Sequence, residues 1–258
     1  MMRIWRKTTI LFFLSMVMLT AILFLGAAKS PVGKITFFIG DIRVRPIGQK
    51  TWDKASLNHD VYNGYSIRAG KESRVELTLA DKSVIRIGEN AIFEVENLKM
   101  KDGSLSGETK LPFGKMWSKM KKLGADGVKV KSPNAVMAIR GTTFRADAAI
   151  DSSLSLWVYE GQVDVNQLSN LQHEEEKQLQ PPQQTPVPGG PPVPVQPPDR
   201  RPVPGPYQVT LSEWLQITAG MKLNLRSDGM YSHEAFDLDQ DKEDNWVGWN
   251  MSRDSEIK

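Results

Sequence analysis

The side chains best suited to proton transfer or metal binding at neutral pH are the three histidines, His59, His173 and His233. They fall in a loop, in a Glu/Gln-rich stretch and in the tail. Metal sites pair their ligands at fixed short spacing. None of the three has such a neighbour, so they read as surface histidines. Asp237, Asp239 and Asp241 alternate as at the start of a calcium loop. That loop needs Gly at its sixth position and Glu at its twelfth. Lys242 and Gly248 stand there instead, so the acids read as a solvated tail. The chain has no cysteine, which removes thiol catalysis, Cys-ligated metals, disulfides and a lipoprotein thiol. No Gly-x-Ser-x-Gly, His-Glu-x-x-His or glycine-rich phosphate loop occurs. No cofactor or metal is expected, and the chain does not read as an enzyme.

Two stretches remain that suit binding. Arg140-Gly141-Thr142 offers a guanidinium fork of the kind that meets carboxylates and phosphates, although Gly between Arg and Thr also pins a turn internally. Lys110 to Lys131 holds seven lysines and one acid around Trp117. Lys115, Trp117, Lys119, Lys121 and Lys122 form a candidate patch. It suits an anionic wall polymer, membrane head groups, an acidic protein partner or the chain's own acidic tail. Nucleic acid is not expected. Arg3, Arg6 and Lys7 carry the whole formal charge of +3, so the rest of the chain sums to zero, whereas phosphate backbones select a strong positive excess.

The elements that must position these residues are strands. From Val32 to about Val165, short apolar stretches alternate with polar residues and are cut by Gly, Asn and Asp. Strands are expected at Lys34–Ile39, Ile42–Arg45, Ser66–Arg68, Arg74–Leu79, Val84–Ile87 and Ala91–Val95. More are expected at Val128–Val130, Ala135–Ile139, Thr143–Ala148, Leu154–Tyr159 and Gln162–Val165. Gly40-Asp41 reads as a turn that sends the chain back along itself, and Glu160-Gly161 as a tight hairpin. The stretch Leu111 to Asp126 is less strand-like and reads as a short helix or turn around Met116–Met120. The fold class is all-β, a compact β-sandwich or β-roll of many short strands, with an N-terminal apolar helix and a long Pro-rich loop.

The ends and the interruption define the remaining organisation. Residues 1–28 combine a basic flank with an uncharged run, Thr8 to Ala28. This fits a secretory signal ending at Gly26-Ala27-Ala28 or a single anchoring helix. Either one exports the rest of the chain across the cytoplasmic membrane, released or tethered through residues 8–28. Residues 29–165 form the β domain. Residues 166–206 include Pro181–Pro206, which holds 12 of the 16 prolines. Proline lacks an N–H and fixes φ, so this part reads as an extended excursion. Residues 207–226 (strands at Tyr207–Thr210, Trp214–Ile217 and Met221–Leu225) return to close the sheet. Residues 227–258 form an acidic tail in which Trp246 and Trp249, three apart, fit one helical face that docks on the domain.

The order of motifs resembles the FecR domain family. It runs Gly40-Asp41, Trp52, Arg68-Ala69-Gly70, Asp81-Lys82-Ser83, Arg140-Gly141-Thr142 with Phe144, and Glu160-Gly161. The resemblance covers about residues 33–165. It implies an extracytoplasmic all-β module, and for these motif residues a structural role. In its namesake the module relays a receptor signal to a sigma factor through a cytoplasmic helical region. Only Met1–Lys7 precede the apolar run here, so that role is not expected to carry over. The expected function is a non-enzymatic binding, sensing or scaffolding module of the envelope. Its partner would be another envelope protein or, as the alternative, wall polysaccharide; an envelope hydrolase is the third and weakest reading. Where the family favours Gly in the Asp-Gly-Ser turn this chain has Lys82, which calls for a turn that tolerates an ordinary residue.

Overall fold

The computed structural model describes residues 30–121, 127–168 and 214–256. The apolar run, most of the Pro-rich stretch, Tyr207–Thr210 and Lys122 lie outside them. Among the described residues no helix is long and apolar enough to cross a membrane.

The described residues form seventeen strands, in chain order β1 (Gly33–Ile39), β2 (Ile42–Arg45), β3 (Asp53–Lys54), β4 (Asp60–Val61), β5 (Ser66–Ala69), β6 (Arg74–Leu79), β7 (Val84–Ile87), β8 (Ile92–Lys101), β9 (Ser104–Lys119), β10 (Val128–Lys131), β11 (Ala135–Ile139), β12 (Thr143–Ala148), β13 (Leu154–Glu160), β14 (Gln162–Gln167), β15 (Leu215–Thr218), β16 (Met221–Leu225) and β17 (Tyr231–Ala235). Two helices, α1 (Leu238–Asp241) and α2 (Asn245–Glu256), come after them.

The strands form one hydrogen-bonded array in two layers. Layer A runs β4, β1, β6, β7, β9, β12, β13, β16, β17. Layer B runs β3, β2, β5, β8, β9, β10, β11, β14, β15. These pairings are antiparallel except β9 with β10, which is parallel. Strand β9 belongs to both layers: its first part pairs with β8 and β10, its last part with β7 and β12. It changes layer around Gly114, at φ +99° and tight against Ala91 with no room for a side chain. The expected helix or turn at Met116–Met120 is therefore strand. Pro112 and Gly114 look like breakers in sequence, but they mark where one long strand bends between layers.

Side chains alternate across each strand, and the inward sets of both layers make one apolar cluster. Ile35, Leu77, Ile87, Phe144 and Leu156 come from layer A; Ile67, Phe93, Val130, Met137 and Val163 come from layer B.

The family motifs mark where the chain passes between layers. Gly40-Asp41 leads from β1 in layer A to β2 in layer B, so it does not reverse the chain into a hairpin. Glu160-Gly161 likewise joins β13 to β14 in the other layer. Gly70, Arg140-Gly141-Thr142 and Gly220 occupy equivalent corners. Gly161 sits at φ +80°, and a Cβ there would stand 2.7 Å from the Gly141 carbonyl oxygen. Two corners thus pack against each other, and only glycine fits. Beyond the Pro-rich stretch, β15 pairs with β14 and β16 with β13, so the last strands extend both layers.

Candidate docking face on layer A

Adjacent residues on the outer side of layer A form a row across the strands. Phe37 lies beside Glu76, Glu76 beside Arg86, Arg86 beside Trp117, and Trp117 beside Arg145. The row continues through Trp157 and Lys222 to Glu234. Pairs directly opposite on one face of a sheet are the contacts that stabilise it. Here they alternate cations with aromatic rings: the Arg145 guanidinium lies 4.1 Å and the Lys222 ammonium 4.7 Å from the Trp157 ring centre.

The C-terminal segment covers the first half of this row. Asp244 caps α2, its carboxylate accepting from the N–H groups of Trp246 and Val247. The helix then presents Trp246, Trp249, Asn250, Arg253 and Asp254 to the sheet, at the spacing of one helical face. Asp254 is the anchor. Its carboxylate accepts from Arg86 Nη1 at 2.6 Å and from Trp117 Nε1 at 3.0 Å, and its backbone oxygen accepts from Lys119 Nζ at 2.9 Å. Arg86 Nε donates to Glu76 at 2.8 Å, and Arg253 donates to both oxygens of Glu76 at 3.0 and 3.1 Å. Rings complete the contact. Trp249 stacks on Trp246 and lies 6.0 Å from Phe37, and Arg74 lies over the Trp249 ring at 4.8 Å. Further along, Tyr159 donates to Asp241 at 2.6 Å and packs between Trp117 and Phe236.

Under this cover Arg86 is 0% and Trp117 1% exposed. Burial alone would raise the Glu76 carboxyl, but the hydrogen bond and charge of Arg86, followed by Arg253, hold it below its usual range. Burial first, then the hydrogen bond to Asp241, pushes the Tyr159 hydroxyl well above its ordinary value. Tyr159 is therefore a neutral donor at any physiological pH. Arg86 Nη2, Trp246 Nε1 and Arg253 Nε are buried and find no acceptor among the described residues. Each such orphan costs roughly 1–3 kcal/mol.

The lysine-rich stretch is not one patch. Because β9 changes layer, Lys110 and Lys131 lie on layer B, pairing with Glu96 and Glu108, while Lys115, Trp117 and Lys119 alternate onto layer A. Lys121 is exposed just past the strand end. The reading of Trp117 as a surface platform for a polymer is corrected: its indole is sealed beneath the chain's own tail. The acids of that tail cap helices and bind Arg86, Trp117 and Tyr159.

The motif residues play internal roles. Gly40 packs on Ser73, whose hydroxyl accepts from the Asp41 N–H, and the Asp41 carboxylate accepts from Arg43. Gly70 N–H donates to the Asp41 carbonyl. The guanidinium groups of Arg45 and Arg68 both pack on the Trp52 ring, at 4.7 and 5.1 Å from its centre. Asp81 accepts from the N–H and hydroxyl of Ser83. Thr142 donates to the Gln162 carbonyl across the corner, Thr143 donates to Glu160, and Phe144 lies in the core. Arg140 is exposed and Gly141 half-buried. Lys82 takes φ +74°, so the turn does ask for the glycine-like conformation rather than one that suits an ordinary residue.

The FecR protein family model matches residues 65–164. The chain carries a FecR domain. Its match begins at the start of β5 and ends within β14, so the FecR domain supplies Glu76, Arg86, Trp117, Arg145, Trp157 and Tyr159. The helix that covers them lies outside the match. Two crystal structures of a candidate anti-sigma factor from Parabacteroides distasonis ATCC 8503 are similar at 11% identity, with TM-scores of 0.46 and 0.45. Each likeness covers 69% of this chain and 62% of that one. No curated protein matches in sequence. Sequence reasoning missed Arg86, Glu76, Arg145, Trp157 and Lys222. Each sits singly within an ordinary strand pattern, and only the strand order aligns them.

Proposed function

We propose that this chain is a non-enzymatic binding and sensing module of the cell envelope, exported through its N-terminal apolar run, and that its ligand is a protein segment. The FecR domain supports the regulatory part of this reading. The observation that carries the binding part is the outer face of layer A, where aligned aromatic and cationic side chains already hold a helix. Arginine and tryptophan, in a water-excluded contact ringed by polar groups, are the chemistry of protein–protein recognition. Helix-in-groove binding is a standard form of it.

The test is site-specific photo-cross-linking in intact cells. Probes at Lys222 and Glu234 on layer A are compared with one at Lys129 on layer B. Discrete protein adducts at the layer A positions support the reading. Adducts only with wall material, or none at any position, refute it.

A further inference from the structure

We propose that residues 236–256 are a displaceable plug, and that the sheet face beneath them recognises a helix of a protein partner that carries carboxylates beside tryptophan. This rests on the reading of the chain as a protein-binding module.

Three observations lead there. First, the core is complete without the plug. Val247 is the fully buried apolar residue of α2, and it is not among the residues of the central apolar cluster. The plug is held by charge-assisted bonds and stacked rings over a finished sheet. Second, the sheet side of the contact carries more cations than carboxylates. On the sheet side Arg74 lies over Trp249 and Arg86 and Lys119 bind Asp254, while the carboxylate the sheet itself brings to Arg86 is Glu76. Of the three buried orphan N–H groups at this contact, Trp246 Nε1 and Arg253 Nε leave with the plug, and Arg86 Nη2 stays on the sheet face. A ligand bringing a further carboxylate would satisfy Arg86 Nη2, which the plug leaves unpaired, and a ligand displaces another only through such a difference in affinity. Third, the row of cations and rings runs past the helix. Lys222 stands on Trp157 and has no ion pair among the described residues, so a longer acidic helix finds a further cation where α2 does not reach. The plug itself defines the ligand: Trp246, Trp249, Asn250 and Asp254 set tryptophans three apart, an Asn one turn after the first of them, and an acid one turn further on the same face.

The test titrates full-length protein with a fluorescein-labelled peptide of residues 237–258. The wild-type chain is compared with the full-length chain carrying Asp254→Asn, whose own plug is weakened. The variant is expected to bind the peptide about tenfold or more tightly than wild type. A peptide that itself carries Asp254→Asn is expected to lose binding to both, a control independent of whether any protein variant folds. In hydrogen exchange on the wild-type chain, α2 amides are expected to exchange at least about a hundredfold faster than those of β9. Equal peptide affinity for both chains, no binding at millimolar peptide, or α2 amides that exchange only together with β9 would overturn the plug. Peptide failure alongside protein adducts in cells sinks the plug and leaves the binding module. Peptide exchange without protein adducts does the reverse.

Discussion

Arg86 shows how much one side chain depends on its surroundings. It is a fully buried cation in the middle of a sheet, tolerable only because Glu76 and Asp254 both meet it. Breaking a buried pair by removing one partner costs about 3–5 kcal/mol, since the other charge is stranded. Glu76→Gln is therefore expected to destabilise the chain by roughly 3 kcal/mol, read by urea unfolding. The same residue predicts a pH effect. Burial opposes the Glu76 charge, but Arg86 and Arg253 prevail, so its folded pKa lies below the ordinary 4.5. Its stabilisation is complete above that value and fades as pH falls through the folded-state pKa. Below about pH 4.5 wild type should lose stability more steeply than Glu76→Gln, and parallel curves would show that Glu76 is not responsible. Lys82 makes the opposite case. At φ +74° it takes a conformation that costs an ordinary residue about 1–2 kcal/mol, partly offset by the greater unfolded freedom of glycine. Lys82→Gly should stabilise by about 0.5–1 kcal/mol, measured as a rise in Tm.

At the scale of elements, the strands with clean alternation were legible, and those that change partners were not. Arg74–Leu79, Val84–Ile87, Ala135–Ile139, Thr143–Ala148 and Met221–Leu225 are found where the pattern puts them. β9 was not, because Pro112 and Gly114 interrupt its alternation where it crosses between layers. The corners misled for a related reason. A Gly-Asp or Glu-Gly pair between two strands looks the same whether the chain reverses within a sheet or leaves it, and only the pairings decide. Gly161→Ala tests the corner: φ +80° and a carbonyl oxygen 2.7 Å from the new Cβ should cost about 2–3 kcal/mol, where Gly220, with open space around it, should cost less. The Pro-rich excursion connects β14 to β15, which pair directly from Val165 and Leu215 to Gln162 and Thr218. Replacing residues 169–213 with a short Gly-Ser linker should not disturb this register. Each halving of a flexible loop returns about 0.6 kcal/mol, so such chains should unfold at slightly higher urea.

Across the whole molecule, the all-β class and the FecR resemblance were readable because they rest on local repetition and ordered motifs. The sheet side of the docking face was not, because its residues come from eight strands spread along the chain. One tryptophan of it, Trp117, stood out by its lysine neighbours, and that same setting suggested an exposed role which the covering helix excludes. The shared strand carries a consequence for how the chain acquires its shape. β9 pairs with β7 and β8, which precede it, and with β10 and β12, which follow it, so its layer A part keeps one unpaired edge until β12 arrives. A chain emerging from its N-terminus can therefore pair β1 to β9 in both layers, with β9 as the exposed edge onto which the later strands add. Truncations that stop before Thr143 should leave the edge of Gly114 to Lys119 that faces β12 open to exchange, and it should gain protection only in chains that include β12.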